Sequence, residues 1–217
     1  MSGMIREVEI GALALKGLLG APEKASALVI FAHGSGSGRL SPRNSYVAEA
    51  LRRSGLATLL LDLLTPAEET RRSNVFDIPL LAQRLLLATA WAREQAETAQ
   101  LPIGYFGAST GAGAALAAAA DDRRIFAVVS RGGRPDLAGE ALERVRAPTL
   151  LIVGGRDHTV IALNREAQRR FLKMESELVI VPGATHLFEE PGALDAVIAH
   201  ASRWFLTHLP QSQRQSA

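Results

Sequence analysis

Short apolar runs rich in Val, Ile and Leu alternate along this chain with longer stretches whose apolar positions recur every three or four residues. That alternation predicts an α/β fold, a doubly wound and mostly parallel sheet with helices on both faces. Residues 5–10 and 13–19, broken at Gly11, are expected as an antiparallel edge pair. Further strands are expected at 27–32 (ALVIFA), 57–61, 102–107, 125–130, 148–153 and 176–182. Ser41-Pro42 reads as a helix start, with serine as cap and proline in the first turn, and Gly55 ends that helix. Helices are also expected from 77 to about 97, at 109–120, 161–173 and 194–208. The total is about eight strands and five or six helices, with no internal repeat.

Composition narrows the class. The 217 residues are 47% hydrophobic and 21% charged, which suits one globular domain over 1–217, with a core at about 5–208 and a polar tail at 210–217. No cysteine is present, which removes disulfides, thiolate metal sites and a cysteine nucleophile. The basic side is almost all arginine, since only Lys16, Lys24 and Lys173 are lysines. These arginines are scattered among acids with no basic stripe, so a nucleic-acid partner is not expected. No signal-peptide core or bilayer-length run is seen, and Leu80–Ala92 is interrupted by Gln83 and Arg84. A soluble, cytoplasmic protein without membrane contact is expected; the sequence does not fix its oligomeric state.

In open parallel sheets, ligands bind at the carboxyl ends of the strands. The residues there include His33-Gly34-Ser35-Gly36-Ser37-Gly38, Asp62, Gly107-Ala108-Ser109-Thr110-Gly111, Arg131-Gly132-Gly133-Arg134, Gly154-Gly155-Arg156-Asp157-His158 and Gly183-Ala184-Thr185-His186. A G-x-S-x-G between a strand and a helix is a nucleophile elbow, a turn too tight for side chains at 107 and 111. It exposes Ser109 at a helix start, where the dipole favours negative charge. The competing reading is a glycine-rich turn with a helix-capping serine.

A serine hydroxyl needs a base. Of the five histidines, His200 and His208 fall on or near the last helix, whereas His33, His158 and His186 fall at strand ends. His186 follows the last strand, and the order Ser–Asp–His is the one this elbow requires. Asp157 is the expected acid, with Asp136 as competitor; Asp62 precedes the serine. The backbone N–H groups of Thr110 and Ser35 are expected to receive a developing oxyanion. His33 is expected to pin that loop or touch substrate. Arg131 and Arg134 are candidates for binding an anionic substrate group, or for salt bridges to Asp136 or Glu140; Arg39, Arg43 and Arg156 are weaker candidates. A dinucleotide site is not supported, because Arg39 stands where G-x-G-x-x-G needs glycine.

On these motifs, residues 5–208 resemble the α/β-hydrolase superfamily, and within it the dienelactone-hydrolase-like group of small, lid-free enzymes. The resemblance implies Ser109 as nucleophile, Asp157 as acid, His186 as base, and oxyanion donors at Ser35 and Thr110. It also implies no cap domain, no metal and no organic cofactor. Dienelactone hydrolases use a cysteine nucleophile, so the serine here points to small soluble esters or lactones. Haloalkane dehalogenases and epoxide hydrolases resemble this chain but carry aspartate at the position of Ser109. Peptidase or acyltransferase activity with the same triad, and a non-catalytic binding domain, are the rival expectations.

Overall fold

The structure is a computed structural model that describes residues 4–171 and 174–211. The expected tail at 212–217 and the end of the expected helix at 172–173 lie outside those residues.

The chain opens with β1 (Ile5–Ile10) and β2 (Leu15–Gly20), an antiparallel hairpin. Its turn holds Gly11 at φ 62° and Ala14 at φ 48°, which delays β2 by two residues relative to the apolar pattern. Then follow β3 (Leu28–Ala32), α1 (Pro42–Arg53), β4 (Ala57–Leu61), α2 (Pro66–Glu69), α3 (Arg72–Val75) and α4 (Ile78–Ala92). The second half contains β5 (Ile103–Ala108), α5 (Thr110–Asp121), β6 (Ile125–Arg131), a 3₁₀ segment (Pro135–Arg144), β7 (Thr149–Gly154), α6 (His158–Arg170), β8 (Ser176–Val181) and α7 (Ala193–Thr207).

The eight strands form one sheet in the order β1-β2-β4-β3-β5-β6-β7-β8. β2 runs antiparallel to β1 and β4, and the remaining pairs are parallel. Alternation along β3 shows both faces covered. Leu28, Ile30 and Ala32 join the core beneath α4 and α5, whereas Val29 and Phe31 join the core beneath α1 and α7. No cap domain interrupts this plan; the β6–β7 connection is the 3₁₀ segment, packed against α5.

Local chemistry explains the ends of the elements. Ser41 caps α1 by accepting the Asn44 N–H at 3.4 Å, with Pro42 in the first helical position. α4 stops at Ala92, five residues before its expected end, and the Thr98 hydroxyl donates to the Ala92 carbonyl at 2.6 Å. No helix among the described residues is long and apolar enough to cross a membrane.

The chain direction reverses between β3 and β5: β4 lies to one side of β3, and everything after β5 lies to the other. In register, Ala32 faces Gly107 and Ala108 faces Arg131. The loops that leave β3, β5 and β6 therefore emerge side by side.

Candidate active site

Ser109 sits at the top of β5 with φ 51° and ψ −121°, a strained conformation for a residue with a side chain. The flanking glycines make this turn possible. A Cβ at position 111 would lie 2.2 Å from the Ala32 carbonyl oxygen and 2.4 Å from that of His33. At position 107 it would lie 2.5 Å from the Ala112 Cα. Ser109 is the N-cap residue of α5, yet its side chain makes no capping bond. Its Oγ instead lies 3.3 Å from Nε2 of His186.

His186 is carried by the loop after β8. There the Thr185 N–H donates to Glu190 Oε2 at 3.0 Å, which holds the Glu190 carboxyl below the usual glutamate range. Gly132, at φ +53°, keeps the end of β6 clear of His186, whose carbonyl oxygen would lie 3.1 Å from a Cβ there. Asp157 Oδ2 lies 2.6 Å from His186 Nδ1. A carboxylate accepts only, so Nδ1 carries the proton and Nε2 presents its lone pair to Ser109. The other oxygen, Asp157 Oδ1, accepts the Val160 N–H at 3.4 Å and caps α6, so the same carboxylate holds His186 and starts a helix.

The competing candidates are accounted for. Asp136 is held by Arg134 through two bonds of 2.8 and 2.7 Å, so both its carboxylate oxygens are engaged there rather than at His186. That pair also raises the Arg134 pKa. His158 is exposed at the start of α6. His33 lines a cavity, but both ring nitrogens are committed: Nδ1 donates to the Gly34 carbonyl at 2.9 Å, and Nε2 accepts the Leu63 N–H at 3.1 Å. This is the pinning role; His33 has no ring nitrogen left for substrate.

Residues 35 and 110, which carry the two expected oxyanion donors, are linked through the Thr110 side chain. The Thr110 N–H is the first of α5, one of those a helix leaves without an internal partner. The Ser35 N–H donates to the Thr110 hydroxyl at 2.9 Å, which ties the two loops together. Gly34 packs on Ser109 so closely that a Cβ there would lie 3.0 Å from Ser109 Cβ.

Three cavities share Ser35 and Ser37, and two of them bear on Ser109 and its loop. One, of about 360 Å³, has Leu63, Leu64, Val75 and Leu81 in its walls. The other, of about 220 Å³, includes Ser109, His186, Arg43 and Arg131. The apolar walls at 63–75 were not anticipated from the chain. A signal was present: Thr65-Pro66-Ala67-Glu68 is a capping box, in which Thr65 accepts the Glu68 N–H and Glu68 accepts the Thr65 N–H. Arg131 is only 8% exposed, and among the described residues no carboxylate lies within 4 Å of it.

Comparison with known proteins follows this geometry. The sequence profile described as "Alpha/beta hydrolase domain" matches residues 25–202. The crystal structure of dienelactone hydrolase from Anabaena variabilis is 55% identical, with a TM-score of 0.90 over 97% of this chain and 99% of that one. Est1E from Butyrivibrio proteoclasticus shares the fold, with 17% identity and a TM-score of 0.77 over 94% of this chain and 98% of that one. Two Mycobacterium tuberculosis proteins that carry a provisional phosphoribosyl transferase name are 60% identical over 94% of this chain. This chain spans 46% of their length, about half of each. The chain belongs to the α/β-hydrolase domain family, within its dienelactone-hydrolase-like group.

Proposed function

We propose that this protein is a serine hydrolase that cleaves small carboxylic esters or lactones through an acyl-enzyme on Ser109, with no cofactor in the reaction. The observation that carries the reading is the line from Ser109 Oγ to His186 Nε2 to Asp157, at 3.3 and 2.6 Å. Ser109 Oγ attacks the ester carbonyl while His186 Nε2 takes its proton. Asp157 holds the Nδ1–H tautomer and stabilises the imidazolium that forms.

The carbonyl oxygen, now negative, is received by the Thr110 and Ser35 N–H groups. In the free protein the Ser35 N–H is engaged by the Thr110 hydroxyl, so the incoming oxygen takes over or shares that bond. The tetrahedral adduct collapses, the C–O bond to the alcohol breaks, and His186 returns the proton to the departing oxygen. Water then gives a proton to His186, attacks the acyl carbonyl and releases the acid, restoring Ser109. With a lactone, the alcohol stays attached and leaves with the acid as one opened chain.

The absence of a cap domain supports small, freely diffusing substrates. The phosphoribosyl transferase name belongs to proteins about twice as long, of which this chain spans 46%. The test is covalent trapping. A fluorophosphonate ester should add one phosphonyl group to Ser109, seen by peptide mass spectrometry, and Ser109→Ala should take up none. Equal labelling of both proteins would overturn the reading.

A further inference from the structure

A strained backbone such as that of Ser109 persists only where its surroundings over-determine it. The loop after β6 supplies part of that hold from both sides. The Ser109 N–H donates to the Arg131 carbonyl at 3.2 Å, and the Arg134 N–H donates to the Ser109 carbonyl at 3.0 Å. Between these two anchors lie Gly132 and Gly133, the residue type with the most backbone freedom to lose on folding. Gly132 sits at φ +53°, and its N–H donates to the Ile152 carbonyl at 2.7 Å. Gly133 leaves no room for a side chain, since a Cβ there would lie 1.9 Å from Ser130 Oγ and 2.6 Å from Ala112 Cβ. The grip on Ser109 is therefore as firm as the hold on this Gly-Gly pair.

Asn164, on α6, completes that hold. It is fully buried, and its Nδ2 donates to the Gly133 carbonyl at 2.9 Å and to the Val160 carbonyl at 2.8 Å. Both partners are carbonyls, which only accept, so the amide nitrogen must face them. The Asn164 Oδ1 is sealed from solvent and has no hydrogen-bond partner among the described residues. A buried acceptor left unsatisfied is costly, so packing alone would be served better by an apolar side chain. What the amide adds is a bond in each of two directions. One reaches the loop that grips Ser109. The other reaches Val160, whose own N–H is accepted by Asp157 Oδ1.

We infer that Asn164 is a positioning residue of the Ser109 site. It fixes the Gly132-Gly133 loop, and through that loop the Ser109 backbone, against the helix whose N-cap is Asp157. It touches no reacting atom and acts only through Gly133 and Val160. Without its amide the Gly-Gly pair gains freedom, the turn at Ser109 relaxes, and Ser109 Oγ spends less time within reach of His186 Nε2. A misplacement of about 1 Å at reacting atoms can cost on the order of 100-fold in rate. This rests on the serine-hydrolase reading.

The test uses Asn164→Ala, which removes both donor bonds, and Asn164→Ser, whose hydroxyl can still bond the Val160 carbonyl four residues back but loses Gly133. Two quantities are read below the melting transition. One is kcat and KM for p-nitrophenyl acetate, per Ser109 titrated with a fluorophosphonate. The other is the first-order rate constant of fluorophosphonate inactivation, in which the Ser109 O–P bond forms, fluoride leaves and His186 takes the proton. Neither depends on how much of the sample is folded. Both variants should lose about 10- to 100-fold in kcat and in that rate constant, with KM changed by less than about 2-fold. Thr89→Val is the control: it removes the buried bond between the Thr89 hydroxyl and the Tyr105 hydroxyl at 2.7 Å, and should lower Tm while leaving both rates as in wild type. Asn164 variants that lose Tm but keep both rates, as the control does, would overturn the inference and leave the hydrolase standing. A rise in KM alone would overturn it too, and so would failure of both variants to fold, since Asn164 would then serve folding. If Ser109→Ala is labelled as fast as wild type, the hydrolase reading itself falls.

Discussion

Asp157 binds His186 Nδ1 through Oδ2 at 2.6 Å while its Oδ1 caps α6 at the Val160 N–H. One carboxylate thus holds the His186 ring and starts a helix. The two roles separate under substitution. Asparagine caps a helix as well as aspartate does. But its amide would impose the wrong tautomer on His186 or leave the imidazolium uncompensated. Asp157→Asn should keep a near-wild-type Tm and lose about 10⁴-fold in kcat. Asp157→Ala should lose the activity and also about 1 kcal/mol of stability. Thermal melts alongside ester kinetics check both.

The elbow makes a packing prediction. A methyl at position 111 would meet backbone carbonyl oxygens of Ala32 and His33, at 2.2 and 2.4 Å, and neither can move without shifting β3. Gly111→Ala should destabilise the protein by about 1–3 kcal/mol or more. At this chain length that is roughly 2–4 °C of Tm per kcal/mol. Gly36→Ala is the contrast in space alone: nothing lies within 4 Å of a Cβ there, although its φ of +69° still carries backbone strain. Differential scanning calorimetry of the two variants should rank Gly111→Ala as the more damaging.

Acid stability should depend on Asp122, at the end of α5. Burial alone would raise its pKa, but Arg93 at 2.6 Å and Arg124 at 3.1 Å outweigh that and hold it below the usual aspartate range. The unfolded chain therefore takes up this proton before the folded one does. The contribution of Asp122 is complete above the usual aspartate range and is lost as pH falls through its lower folded value. Asp122→Asn should reduce Tm at neutral pH and flatten the fall in Tm on acidification. A variant that keeps the full wild-type acid slope would show that other carboxylates carry it.

Much of this molecule was legible in its residues. Near-continuous apolar runs such as 27–32 and 57–61 locate strands, because both faces of the sheet are buried there. The G-x-S-x-G at 107–111 and the chain order of Ser109, Asp157 and His186 brought together three residues that the fold does place within bonding reach. The segment 63–76 carries no element expected from the chain, since α2 and α3 have four residues each and are too short for a helical period to show. It nevertheless walls the apolar cavity through Val75. The different fates of Arg131 and Arg134 were also hidden. Arg131 ends β6 and Arg134 lies three residues on, but only the fold decides that Asp136 reaches Arg134 and that Arg131 is buried without a carboxylate partner among the described residues.

The central claim is that Ser109 is the nucleophile of an ester hydrolase. Its most direct measurement is hydrolysis of a short series of p-nitrophenyl esters by wild type and by Ser109→Ala, each checked for folding by its melt. The account predicts wild-type turnover that falls by about 10⁴-fold or more in the variant, because nucleophile, base and acid act as a unit. Equal turnover by two folded proteins would contradict it.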